Sequence, residues 1–187
     1  IILGLIKIFK KNYLKGILQT IISVGILIIS IGYLSFFFMF YPNDYFADDL
    51  EIPTNIKINT PSKMSLNEEK ITNQKIQFDL IDSFQPGLYE YNFTTKNIDS
   101  GYVYLKAFEI TKNTRLSEEE LNNDSKVFVY NNSDSLKTFS TKRHFTIYEG
   151  DWEKPYAARF ELWYKNNKTG KENKILEKNY KIEGWQR

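Results

Sequence analysis

Cysteine is missing from all 187 residues. Disulfides, cysteine-based zinc sites, iron–sulfur clusters and a cysteine nucleophile are excluded with it. Stability must come from a packed core, which a domain of this size can build. Histidine occurs once, as His144. No Gly-x-Ser-x-Gly elbow accompanies it. Strand alternation sets it beside Lys142 and Thr146 on a polar face, so it reads as an exposed strand residue. Acids are missing before Asp44, whereas Lys7, Lys10, Lys11 and Lys15 stand there. The remainder carries 21 basic and 23 acidic side chains. A domain so nearly balanced offers no basic face for nucleic acid. Acidic groups occur at Asp48, Asp49 and Glu51, at Asp79 and Asp82, at Glu118, Glu119 and Glu120, and at Glu149, Asp151 and Glu153. None has the spacing of an EF-hand loop, and no metal or cofactor is expected.

The feature that dominates the N-terminal part is a stretch without charge from residue 16 to residue 43. Residues 17–40 (ILQTIISVGILIISIGYLSFFFMF) would form a helix about 36 Å long, enough to cross a hydrocarbon core of about 30 Å with some tilt. Signal-peptide apolar regions are shorter and end at a small-residue cleavage site, and nothing of that kind follows. The expected organisation is a basic cytoplasmic or interfacial flank (1–16) and a transmembrane signal-anchor helix (17–41). A stalk (42–63) and an extracytoplasmic domain (64–187) follow. The lysine bias favours a cytoplasmic N-terminus. Phe36, Phe37, Phe38 and Tyr41 then suit the outer headgroup layer, and Pro42 marks the helix exit. Richness in Lys, Asn, Ile, Tyr and Phe suits an AT-rich bacterial genome. The domain would then face the periplasm or the cell surface.

Beyond the stalk, period-two alternation takes over. In residues 156–165, Tyr156, Ala158, Phe160, Leu162 and Tyr164 share one face. Residues 166–173 (NNKTGKEN) supply a turn, and 174–184 return with Leu176, Tyr180 and Ile182 in alternation, predicting a hairpin. Residues 88–93 place Tyr89, Tyr91 and Phe93 inward, while 101–111 are apolar on both faces near their start, as in a central strand. Residues 76–84, 126–130 and 139–149 are further strands, giving seven or eight. Ser117 and Glu120 fit a capping box opening a helix of a turn or two. The fold class expected is mainly β, an antiparallel β-sandwich of immunoglobulin-like or jelly-roll type behind one transmembrane helix.

The loop at 148–156 (YEGDWEKPY) stands between two strands and holds Glu149, Gly150, Asp151, Trp152 and Pro155. Its indole either rests on the core edge or anchors a partner. Trp163, flanked by Arg159 and Glu161 on the solvent side of its strand, is a second candidate unless a neighbouring strand or loop covers it. Trp185 is expected to pin the last strand, within the unusual run Glu183, Gly184, Trp185, Gln186 and Arg187. These features suggest a protein-interaction module, either an envelope component or a toxin-neutralising protein, with Trp152, Glu149 and Asp151 as the contact. A carbohydrate- or cell-wall-binding module is the alternative. An envelope enzyme resting on paired carboxylates or on His144 is the third.

Overall fold

A computed structural model describes residues 2, 13–40, 44–63 and 76–185, apart from the side chains of Phe38 and Phe40. The chain forms two compact units, one ending at Asn43 and one beginning at Asp44.

In the first unit, helix α1 spans Tyr13–Phe40, 28 residues without an acid in its first turn or a base in its last. At 1.5 Å per residue it is about 42 Å long. Tyr13–Phe37 is long and apolar enough to cross a membrane and is not buried by protein. The helix begins one turn before the expected start. Its backbone stays regular through Gly16, whose carbonyl accepts a hydrogen bond from Thr20 Oγ1 at 2.9 Å. Lys15 lies within it. Phe36 and Phe37 lie near its C-terminal end, and Phe37 stacks on Tyr33 one turn back, with ring centroids 6.5 Å apart. Lys7, Lys10, Lys11 and Tyr41 lie outside the described residues, as does the Phe38 side chain.

The second unit is mainly β, with two sheets. The first contains β1 (Ser62–Lys63), β2 (Gln77–Asp82), β3 (Leu88–Thr95), β7 (Lys137–Ser140) and β8 (Phe145–Thr146). The second contains β4 (Ile98–Glu109), β5 (Arg115–Leu116), β6 (Val127–Asn131), β9 (Tyr156–Asn166) and β10 (Glu172–Ile182). In the second sheet the order is β10-β9-β4-β5, and β6 pairs with the part of β4 that β5 leaves open. Strand β4 is therefore central, which explains its apolar residues on both faces. The expected hairpin is β9–β10, antiparallel with one register shift between Lys174 and Leu176.

Alternation buries the intended residues. Tyr89, Tyr91 and Phe93 of the first sheet join Val103, Leu105, Ala107, Phe160 and Leu162 of the second in one core. Tyr180 ties the sheets together: its ring meets Phe78 and Phe160 edge-on, and its hydroxyl accepts from Leu80 N at 3.1 Å. Tyr91 makes a similar tie, its hydroxyl donating to Ser125 O at 2.9 Å.

Four expectations are corrected. Residues 44–63 are no free stalk, because their polar groups are bonded along the domain. Asp44 Oδ2 accepts from Gly150 N at 2.7 Å, Phe46 packs on Tyr156, and Ala47 is buried. Asn59 bridges to β10, and β1 then pairs with β2 in parallel, so the sheet is not wholly antiparallel. Residues 139–149 do not form one strand. Thr141 exchanges hydrogen bonds with the Tyr91 backbone, and Lys142, Arg143 and His144 swing out before β8 resumes the pairing with β3. Finally, Ser117 caps nothing: helix α2 (Glu118–Asp124) forms, but Ser117 is left-handed at φ 47° and its side chain goes to Glu149.

Candidate binding site

The loop between β8 and β9 shows what happens to the expected contact residues. Its short span between two anchored strands brings Glu149 and Asp151 against backbone that would otherwise be unsatisfied. Glu149 accepts from Ser117 N at 2.8 Å and from Ser117 Oγ at 3.0 Å. Asp151 is buried, accepting from Asp44 N at 3.2 Å. Both carboxylates are thus turned into the structure. Trp152 is 39% exposed, without those acids beside it on the surface. His144 is exposed as expected but sits between strands, its ring edge-on to Phe84 at 5.3 Å. The acid missed by sequence reasoning is Glu109, fully buried and holding the Thr111 and Lys112 amides of the turn after β4.

The chemistry left on the surface concentrates on the outer face of the second sheet. Residues of β4 that point away from the core are Tyr102, Tyr104, Lys106 and Phe108. They stand opposite Lys165, Trp163, Glu161 and Arg159 of β9. Cations face rings in the two outer pairs, Tyr102 with Lys165 and Phe108 with Arg159, while Tyr104 faces Trp163 and Lys106 faces Glu161 between them. Lys106 Nζ lies 3.8 Å from the Trp163 ring centroid. Arg159 lies over Phe108 at 5.1 Å. The Trp163 indole N–H donates to Glu161 at 3.0 Å. Trp163 is thus half-covered, roofed by a lysine rather than open to a ligand.

Beside this ladder, α2 packs on β4 through Leu121, and between the helix and the outer face of the sheet lies a cleft of ≈ 360 Å³. Tyr102, Tyr104, Lys106, Arg115, Lys126 and Asn122 define its working surface. Tyr104 is mostly covered and its hydroxyl donates to Glu172 at 3.1 Å. Burial, then the Glu172 bond and charge, push this phenol up to about 12, while Arg115 pulls the other way. Hydrogen bonds from Lys165 and Tyr104 hold Glu172 below the usual carboxylate range. Glu172 is thereby matched, at 3.0 Å from Lys165. Lys106 and Lys126 instead face rings, Lys126 over Tyr102 at 4.5 Å, and make no ion pair among the described residues. With its amide oriented to satisfy both neighbours, Asn122 donates to Leu105 O at 3.0 Å and accepts from Arg115 Nη2 at 2.9 Å. Arg115 Nε is enclosed with no acceptor among the described residues. Next to the cleft, Phe128 packs edge-on against Tyr102 yet stays 52% exposed, and Tyr130 beyond it is 46% exposed.

Of the expected binding residues, then, Trp152, Glu149 and Asp151 occupy one loop, and Trp163 belongs to a different surface. The cleft residues escaped sequence reasoning because they come from β4, β5 and α2 with the residues just after it. The one local signal was the Tyr102, Tyr104, Lys106 alternation. Compared with known proteins, the chain matches no family model, no curated protein and no solved structure.

Proposed function

We propose that this protein is a single-pass, signal-anchored membrane protein whose extracytoplasmic domain is a non-enzymatic protein-interaction module. In this reading the two sheets form a β-sandwich, supported by their shared core. Helix α1 crosses the bilayer with its lysine-rich flank in the cytoplasm. The anchor holds the domain at the outer face and raises its effective concentration toward membrane neighbours. The observation that carries the reading is the outer face of the second sheet. It combines exposed rings at Phe128 and Tyr130 with tyrosines and Arg115 around an open cleft, the residue types enriched where proteins meet, and its lysines add a positive field that selects the partner's charge. The internal use of Glu149, Asp151 and Glu109 supports the same view, since those carboxylates already serve backbone amides. Contact therefore moves from the Trp152 loop to this face.

The test is site-specific photo-crosslinking of the full-length protein in its native membrane. A photoreactive residue at position 128 should yield an adduct of discrete mass, whereas one at position 168, in the β9–β10 turn, should yield none. Equal labelling from both positions, or none from position 128, would overturn the assignment.

A further inference from the structure

Resting on that interaction-module reading, we infer that the cleft between α2 and the second sheet receives an acidic segment of the partner protein, seating a carboxylate against Arg115, Lys106 and Lys126. Four cationic side chains line the cleft, Lys106, Arg115, Lys126 and Lys165, against two carboxylates, Glu119 and Glu172. Glu172 is already bonded to Lys165 and Tyr104. The remaining balance is positive, and two of the cations are held by rings rather than by acids. A cation over a ring keeps its N–H donors for a further acceptor.

Arg115 supplies the specific element. It lines the cleft with its Nη2 held by Asn122 and by Glu118 O, and its Nε is enclosed by the protein. A guanidinium fixed in that way is already oriented when a carboxylate enters the cleft, and its charge strengthens the hydrogen bonds it gives there, while the enclosed Nε takes no part. The peptide character follows from what adjoins the cleft. Phe128 and Tyr130 form an apolar ridge continuous with Tyr102, so the surface matches a segment in which acidic and apolar side chains occur together. An anionic polysaccharide would match the cations but not the ridge.

Fluorescence anisotropy on the full-length protein in nanodiscs tests this. The probe is a labelled ten-residue peptide of alternating Glu and Leu. The controls are the same peptide with Gln for Glu, and labelled polygalacturonate. The Glu peptide should bind, with affinity falling as salt rises, and the Gln peptide should bind roughly tenfold or more weakly. Lys126→Glu changes an exposed residue and should weaken the Glu peptide by a similar factor. Arg115→Lys keeps the charge but loses the fork, and should also weaken it. Equal binding of the Glu and Gln peptides, an unaffected Lys126→Glu variant, or binding of polygalacturonate alone would each overturn the inference. If the Glu peptide fails while the adduct from position 128 persists, only this inference falls. Loss of that adduct removes the interaction-module reading as well.

Discussion

At the scale of single residues, the outer face of the second sheet shows how charge and shape are combined. Glu161 sits among Arg159, Trp163 and Lys174, accepting from Lys174 Nζ at 3.3 Å and lying 3.3 Å from Arg159 Nε. Burial pushes its carboxyl up, but the Trp163 and Lys174 hydrogen bonds and the neighbouring cations outweigh this and hold it below the ordinary 4.5. A carboxylate lowered in the folded state adds stability above its unfolded pKa and loses it as pH falls through the folded value. Glu161→Gln should therefore lower the melting temperature at neutral pH, with the gap to the parent protein closing in strong acid. A gap that stays constant over that range would show that the ionised form is not what matters. The glycine of the C-terminal run has a similarly concrete reason. A Cβ on Gly184 would overlap the carbonyls of Glu149 and Gly150, so only glycine lets the chain end pass this close to the loop. The Trp185 backbone N–H then donates to Ile147 O at 2.8 Å, and its ring meets Tyr148 edge-on.

At the scale of elements, the segment from Asp44 to Lys63 changes character between sequence and structure. Its prolines and early acids resemble a linker, yet it crosses the seam of the two sheets. Asn59 N donates to Asn179 O at 2.9 Å and Asn59 O accepts from Lys181 N at 2.8 Å. Three residues later β1 pairs with β2. Residue 59 thus occupies the free edge of β10 at Tyr180, and β1 that of β2 at Ile81 and Asp82, which interrupts both edges as templates for pairing with other chains. Asn59→Pro removes the N–H and the side-chain amide together and should cost about 1–3 kcal/mol of stability in urea unfolding. An unchanged midpoint would return the segment to the status of a stalk. The longer strands β2, β3, β4, β6, β9 and β10 were legible to within a few residues. Ten strands are present among the described residues, and β1, β5 and β8 contribute only two residues each. Such short pairings carry no periodicity and leave no trace in a sequence.

At the scale of the whole molecule, a helix long and apolar enough to cross a membrane precedes the β-rich domain along the chain. The absence of cysteine makes topology directly measurable, since one introduced thiol is the only one present. Thr169→Cys lies in the exposed β9–β10 turn. In intact cells it should react with a membrane-impermeant maleimide, and labelling that requires lysis would reverse the orientation.

The transmembrane candidate and the longer strands were determined by sequence alone, because each depends on a local repeat: an unbroken apolar run, or alternation every second residue. Even the burial of Tyr91, Phe160 and Leu162 follows from that alternation. What only the tertiary structure decided is the fate of the polar groups. Ser117 looked like a cap and Glu149 like a contact residue, yet the two satisfy each other across 32 residues. Asp44 and Asp151 do so across 107. A carboxylate is surface chemistry or internal scaffolding according to which backbone donor reaches it, and that donor is brought by the fold. The cleft has the same origin, for its tyrosines, arginine and lysines become one site only when α2 and the strands converge.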